Sequence, residues 1–160
     1  MPRYPYIVLD AYPLGNAIIP LAGVDTVPND SQECRRWMLH CEASGTEFLV
    51  PAISYYEVVR EMEQRQAMGQ IKRFQNFCFD PDRFIVLTTE HLSQAAALWG
   101  QARRSGQATA DPKALDGDAI LAAQVLSLGL QPHEYVVATR NTKHLTRFGL
   151  NAAEWRNIAE

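Results

Sequence analysis

Short apolar runs alternate along this chain with longer segments of helical periodicity. Residues 5–10, 47–50, 84–87 and 135–139 are rich in β-branched and other apolar side chains, and polar residues, proline or glycine bound them. Such runs are typical of buried strands. Strands that alternate with helices favour a parallel sheet with helices on both of its faces. The sequence therefore predicts an α/β fold: a three-layer α/β/α sandwich around a central, mainly parallel sheet of four to five strands.

The segments between these runs carry the helical pattern. A helix with one buried face is expected over 31–43, because four apolar residues recur there at i, i+3, i+4 and i+7; these are Cys34, Trp37, Met38 and Cys41. Asp30 and Glu33 are expected to cap its start. Further elements are expected as follows: a short helix or turn at 14–22, helices from Ser54 to Gly69, at 70–79, 90–104 and 117–128, a loop with Pro20, Gly23 and Pro28, a loop at 106–114, and a late edge strand and short cap near Leu150 and Trp155.

Size and composition restrict the class of protein. A chain of 160 residues is expected to form one domain over residues 1–160. The N-terminus lacks the pattern of a signal peptide, and no run approaches the ~18 apolar residues of a membrane span. Three cysteines without a CxxC pair argue against a disulfide framework or a zinc knuckle and suit a reducing compartment. We therefore expect a cytoplasmic protein that does not associate with membranes.

Acidic and amide side chains stand where the predicted strands end or the following helices begin. Asp10 ends the first strand, Glu57 lies in the helix after the second, Asp116 and Asp118 precede the apolar segment 119–128, and Asn141 follows the fourth strand. In an open α/β sheet, the carboxyl ends of the strands form the edge at which ligands bind. Oxygen ligands gathered at that edge would suit a hard cation.

Each of these residues also has an ordinary structural explanation. Asp10 could simply end a strand and cap the next turn. Ser54 and Glu57 match a capping box at a helix start. Asp116 or Asp118 could cap helix 117–128, and Asn141 could stabilise a turn. These explanations treat the residues singly and do not account for their common position at one edge of the sheet.

The net charge of −3 does not indicate a nucleic-acid-binding protein, because such proteins usually carry a basic domain. If the four acidic residues named above form one metal site, however, the rest of the chain is slightly positive. Bound divalent cations would then reverse the sign of the site itself. A phosphodiester substrate is therefore compatible with this composition.

Four segments together resemble the PIN-domain family: Tyr6-Ile7-Val8-Leu9-Asp10, Glu57 at the head of a helix, Asp118-Ala-Ile-Leu-Ala-Ala123, and Ala138-Thr139-Arg140-Asn141. The resemblance spans Tyr6 to Trp155 and is closest to the ribonuclease toxins of bacterial type II toxin–antitoxin pairs. It implies a Mg²⁺- or Mn²⁺-dependent endoribonuclease, with one or two ions bound. It also implies RNA as the substrate, a cognate antitoxin protein as a partner, and a homodimer.

The resemblance also assigns site residues. It implies that Asp10, Glu57 and Asp118 are catalytic carboxylates and metal ligands, and that Asn141 occupies the fourth catalytic position, which is often an aspartate in relatives. Asp116 is expected to support the site, either as an extra ligand or as a cap. Many relatives carry Asp-Thr-Asn at the first position, whereas this chain has Asp-Ala-Tyr.

The phosphate backbone of RNA requires cationic contacts. Arg140 and Lys143 follow the fourth strand and are candidates for this role. His144 is a candidate for a phosphate contact or for proton transfer, or is a surface residue of a helix. Tyr12 is a candidate for stacking on a base, or packs at the start of its loop.

Two functions are consistent with these patterns. The first is a metal-dependent ribonuclease, the toxin of a toxin–antitoxin pair. The second is a non-catalytic PIN-like module that binds RNA or protein and has a weakened metal site; Asn141 and the Asp-Ala-Tyr segment favour it.

Overall fold

The computed structural model describes residues 2–21, 29–106 and 112–159, with side chains described from Leu115 onward in the last range. The expected loop around Gly23 and Pro28 lies mostly outside these residues, as does the 107–111 part of the expected loop at 106–114.

Five short strands form the central sheet, and all of them are parallel. They are β1 (Tyr6–Leu9), β2 (Glu47–Pro51), β3 (Phe84–Ile85), β4 (Tyr135–Ala138) and β5 (Ala152–Ala153). The order across the sheet is β3-β2-β1-β4-β5, so β1 lies at its centre. The predicted parallel sheet is confirmed. The third strand is shorter than predicted, because Val86 and Leu87 turn outward and are exposed.

Helices connect the strands as the sequence predicts. Within the described residues they are α1 (Ala11–Gly15), α2 (Asp30–Ala43), α3 (Ala52–Gln64), α4 (Met68–Cys78), α5 (Thr89–Arg104), α6 (Pro112–Leu126) and α7 (Thr142–Thr146), followed by a 3-10 helix at Trp155–Asn157. None of them has the length and hydrophobicity that a helix needs to cross a bilayer.

Several predicted helix starts were wrong. The first helix, expected at 14–22 as a helix or turn, is α1 and begins at Ala11. Asn29, not Asp30, caps α2, and its side chain accepts a hydrogen bond from the Gln32 backbone N–H at 2.9 Å. Helix α3 begins at Ala52 after Pro51, so Ser54 and Glu57 form no capping box. Proline explains this earlier start, because its ring holds φ near the helical value before the first helical residue.

Helix α6 begins at Pro112 rather than at residue 117. Proline suits the first position of a helix, where its missing N–H would have no partner in any case. Asp116 and Asp118 therefore lie inside the helix and do not cap it.

The side chains of the strands alternate between two hydrophobic clusters, one on each face of the sheet. Ile7, Leu9 and Val136 pack against the side of the sheet that carries α1 to α4. Val8 and Val137 pack on the other side, against α5, α6 and α7. This alternation is the period of two that a strand imposes on its side chains. It places helices on both faces and confirms the predicted three layers.

The three cysteines are free and buried. Burial raises the pKa of the Cys34 thiol to about 11 and that of Cys78 to about 12. Thiols with such pKa values are protonated at neutral pH and poorly reactive. These cysteines therefore act as small hydrophobic side chains, as expected for Cys34 and Cys41.

The order of the strands reverses between β1 and β4. From β1 the chain moves outward to β2 and β3, and then returns to the other side of β1 to form β4 and β5. Parallel sheets bind ligands in the crevice outside the carboxyl ends of the strands at such a switch point. Leu9 pairs with Ala138 at this end of the sheet, so Asp10 and Thr139 are the next residues on the two neighbouring strands.

Candidate active site

Asp10 lies at the switch point and is held there at both carboxylate oxygens. Its backbone N–H donates to the Ala138 carbonyl of β4 at 3.1 Å, which continues the ladder by one residue. Its Oδ1 accepts from the Ala11 backbone N–H at 2.8 Å at the start of α1. Its Oδ2 accepts from the Thr139 hydroxyl at 2.7 Å. The carboxylate is therefore fixed in one orientation by two different elements.

Thr139 links Asp10 to Asn141. The Thr139 side chain is fully buried, and its Oγ1 donates to Asp10 and accepts from the Asn141 backbone N–H at 2.9 Å. No role was predicted for this residue. The sequence shows only a small hydroxyl residue directly after an apolar run, and its place beside Asp10 depends on the register of β1 and β4.

Asp118 lies on the helix that covers the same edge of the sheet. Its side chain is only 13% exposed, and its Oδ2 lies 3.1 Å from Nδ1 of His144 on α7. Burial and the charge of Asp10 raise the pKa of Asp118 to about 6, although His144 acts in the opposite direction. His144 thus contacts one of the predicted metal ligands.

Glu57 is the third carboxylate at this edge. Burial raises its pKa to about 7, and the charges of Asp10 and Asp118 act in the same direction, while Arg60 lowers it. Like charges raise a carboxyl pKa in this way when they are close together. The structure therefore brings together the three predicted metal ligands, which are remote in sequence.

Two other predicted site residues occupy different surroundings. Asn141 is exposed at the start of α7, where its carbonyl accepts from the His144 and Leu145 backbone N–H groups and its side chain makes no capping hydrogen bond. Asp116 is exposed and lines an apolar pocket of about 350 Å³ with residues of α5, including Trp99. The structure therefore does not place Asp116 among the three carboxylates.

The predicted nucleic-acid contacts lie close to Asp10. The Arg140 guanidinium carbon lies 3.7 Å from the centre of the Tyr12 ring, so the two side chains stack on each other. An exposed ion pair of 3.7 Å joins Arg140 to Asp30 at the start of α2. Lys143 is exposed on α7. A guanidinium stacked on an aromatic ring keeps its hydrogen-bond donors available at its edge.

The chemistry of this donor set fits a hard divalent cation. Mg²⁺ and Mn²⁺ prefer oxygen ligands. The raised pKa values of Glu57 and Asp118 come first from burial and then from the charge of Asp10, and a bound cation would favour the ionised form of both groups. In the side-chain conformations of this structure, no three His, Cys, Asp or Glu side chains of the described residues are arranged to hold a metal ion. Binding would therefore require the carboxylates to turn towards a common point.

Several solved structures share this fold. A chain of FitAcB from Neisseria gonorrhoeae superposes with a TM-score of 0.63 at 15% identity, over 95% of this chain and 99% of that one. A chain of VapBC2 from Rickettsia felis, bound to a DNA fragment from its promoter, gives 0.58 at 14% identity over 94% and 98%. A chain of VapBC-1 from nontypeable Haemophilus influenzae gives 0.55 at 13% identity over 95% and 99%.

Comparisons at the level of sequence give no match. No family model matches the chain, and no curated protein does. The structural neighbours are toxin–antitoxin complexes whose toxins are PIN domains. The five-stranded parallel sheet, its helical layers and these superpositions together show that the chain has the PIN-domain fold.

Proposed function

We propose that this protein is a metal-dependent endoribonuclease that hydrolyses RNA phosphodiester bonds and acts as the toxin of a toxin–antitoxin pair. One observation carries the proposal: Asp10, Glu57 and Asp118 converge at the switch point of a PIN-type sheet, where burial and the charge of Asp10 raise the pKa of both Glu57 and Asp118. Negatively charged carboxylates held close together favour the binding of a cation between them.

The proposed ligands are Asp10, Glu57 and Asp118. One or two Mg²⁺ or Mn²⁺ ions held there would activate water and neutralise charge on the phosphoryl group. Thr139 fixes Asp10 through a hydrogen bond of 2.7 Å, and His144 orients Asp118 from 3.1 Å. Asn141 begins α7, and its amide adds no charge to the site. Residues that hydrogen-bond to metal ligands, as Thr139 and His144 do here, fix the orientation of those ligands and influence metal affinity.

The proposed contacts to RNA are cationic and aromatic groups beside Asp10. Arg140 is held over Tyr12 and presents its charge near the carboxylates. Lys143 and His144 follow on α7. In this arrangement the Arg140 guanidinium binds a backbone phosphate, and the exposed part of Tyr12 is available to a neighbouring base.

The proposed partners are an antitoxin protein and a second copy of this chain. The support for an antitoxin is the likeness to chains of FitAcB and VapBC complexes. Co-expression with the product of an adjacent gene, followed by co-purification, tests the antitoxin. Light scattering of the purified protein tests the homodimer.

Cleavage of a labelled single-stranded RNA in Mg²⁺ or Mn²⁺ tests the enzyme. We expect Asp10→Asn and Asp118→Asn each to lower the rate at least ~100-fold, because each removes a charged ligand. Asp82→Asn, at the opposite edge of the sheet, is the matched control and should cleave normally. Asp116→Asn decides whether Asp116 supports the site. Undiminished cleavage by both site variants would refute the assignment.

A non-catalytic RNA- or protein-binding module is the second candidate. The described residues contain no group of side chains already arranged around a metal position, and this favours it. Calorimetric titration with Mn²⁺ separates the two functions. Heat that disappears in Asp118→Asn supports the nuclease, whereas no heat and no thermal shift at millimolar Mn²⁺ support the binding module.

A further inference from the structure

Gly117 lies inside α6, one residue before Asp118. Glycine destabilises a helix interior relative to alanine, because it loses more conformational freedom on folding. No positive φ is recorded at this position, so the backbone itself does not require glycine. A glycine within a helix therefore calls for a reason in its surroundings.

The surroundings of Gly117 supply that reason. A Cβ atom built on Gly117 would lie 2.6 Å from Oε1 of Glu57 and 3.7 Å from its carboxyl carbon. Apart from its chain neighbours and its own helix backbone, no other described atom comes within 4 Å of that position. The space that a methyl group would fill is therefore taken by the Glu57 carboxylate.

This contact brings two site carboxylates together. The Glu57 carboxylate reaches the backbone of α6 at Gly117, the residue directly before Asp118. A side chain at position 117 would push the Glu57 carboxylate away, since contacts under 3.0 Å are not tolerated. The displaced atoms belong to the end of a flexible side chain, so the helix and the sheet need not move.

We propose that Gly117 is a positioning residue, whose missing side chain sets where the Glu57 carboxylate lies relative to Asp118. The proposal rests on the proposed metal-binding function. It means that the chain keeps glycine where alanine would give a more stable helix, because alanine would disturb the ligand set.

Gly117→Ala tests the proposal through Mn²⁺ affinity, measured by calorimetry or by the EPR signal of free Mn²⁺. We expect affinity to fall about 10- to 100-fold, the range seen when supporting groups of a metal site are changed. The thermal midpoint of the metal-free variant should be equal to or higher than that of the wild type. Gly100→Ala in α5 is the matched control, because a Cβ there would approach only a terminal nitrogen of Arg104, at 3.1 Å.

A rescue experiment separates positioning from general damage. Aspartate is one methylene shorter than glutamate, so Glu57→Asp should make room for the methyl group that Gly117→Ala introduces. We expect Glu57→Asp alone to weaken Mn²⁺ binding, but to strengthen it in the Gly117→Ala background. Equal losses in both backgrounds would overturn the proposal, as would unchanged binding by Gly117→Ala or a lowered melting point.

A metal-free crystal structure of Gly117→Ala makes the inference independent of metal binding. The expected result is a displaced Glu57 carboxylate on an unchanged backbone. A Glu57 side chain in its original place, with α6 shifted instead, would overturn the inference. If the wild-type protein bound no Mn²⁺, the proposed function would be refuted. The crystal structure of Gly117→Ala would still test whether residue 117 determines the position of the Glu57 carboxylate.

Discussion

The Thr139 hydroxyl is an uncharged group that links two parts of the site. It donates to Asp10 at 2.7 Å and accepts from Asn141 at 2.9 Å, so a single buried atom joins the end of β1 to the start of α7. Hydrogen bonds to charged groups contribute more than neutral ones, and a buried donor without its partner is costly.

Thr139→Val keeps the shape of the side chain and removes the hydroxyl. We expect the free energy of unfolding to fall by about 2–3 kcal/mol, because the Asp10 carboxylate and the Asn141 N–H each lose a partner. Urea denaturation measures this change. Thr139→Ser keeps the hydroxyl and should lose less; equal losses in both variants would show that packing of the methyl group, not the hydrogen bonds, is responsible.

Glu57 and Asp118 make stability depend on pH in the metal-free protein. Their pKa values in the folded state, about 7 and about 6, lie above the ordinary values of 4.5 and 3.8. Between about pH 4 and 7 the folded state therefore binds more protons than the unfolded state, and stability falls as pH rises through this window. The stability that Glu57 and Asp118 contribute is fully present below about pH 4 and is lost above about pH 7.

Glu57→Gln removes one of these titrating groups. We expect its unfolding free energy to exceed that of the wild type by about 1–2 kcal/mol at pH 8, because the amide carries no buried charge. The difference should shrink or reverse at pH 5. Denaturant titrations at both pH values measure it, with the exposed Glu61→Gln on the same helix as the control. A difference that does not change with pH would contradict the assigned pKa.

Helix α6 is joined to the rest of the fold by a buried glutamine. Gln124 is fully buried; its side-chain nitrogen donates to the Ile85 carbonyl at 2.8 Å, and its oxygen accepts from the Ile53 N–H at 3.2 Å. It therefore connects α6 to the end of β3 and to the start of α3. These two hydrogen bonds position α6, and therefore Asp118, relative to the sheet.

Gln124→Met keeps the length of the side chain and removes both hydrogen bonds. We expect a loss of about 2–4 kcal/mol in unfolding free energy, because two buried backbone groups are left without partners. Chemical denaturation measures the loss. Gln101→Met on the exposed face of α5 is the control and should change stability by less than about 0.5 kcal/mol. A similar small change at Gln124 would mean that water replaces the lost partners.

The existence of most helices and strands was predictable from the sequence, whereas their starts were not. Periodic apolar residues identify α2 and α4 because each buries one face; the buried residues of α4 are Ile71, Phe74 and Cys78. The start of α6 was missed because residues 112–114 were included in the small and polar segment 106–114, which was expected to be a loop. The proline at the first helical position and the helical propensity of the lysine, alanine and leucine that follow it explain the earlier start.

The parallel sheet explains which site residues could be predicted from the sequence and which could not. Asp10, Glu57 and Asp118 could be identified because parallel strands present their ends at one edge. Thr139 and Gly117 could not, because their roles depend on register and on a contact between helices that are remote in sequence. The backbone pairing of Leu9 with Ala138 and the approach of Glu57 to α6 arise only from tertiary structure.

A bound cation should stabilise the fold, because the ligands come from different elements and are brought together only in the folded state. At 100 times its dissociation constant, a ligand of the native state adds about 2.7 kcal/mol, and each kcal/mol raises the melting temperature of a domain of this size by about 2–4 °C. We therefore expect saturating Mn²⁺ to raise the thermal midpoint by about 5–10 °C. The shift should disappear in Asp118→Asn and be kept in Asp82→Asn.

The central place of β1 has a consequence for synthesis. The ribosome makes Asp10 before β2, β3 and all the helices, whereas β4, the strand that lies beside it on one side, is made after most of them. A growing polypeptide that ends before Thr139 has the first aspartate without the hydroxyl that holds it. If the protein cleaves RNA, its proposed active site is therefore incomplete until translation has passed Thr139.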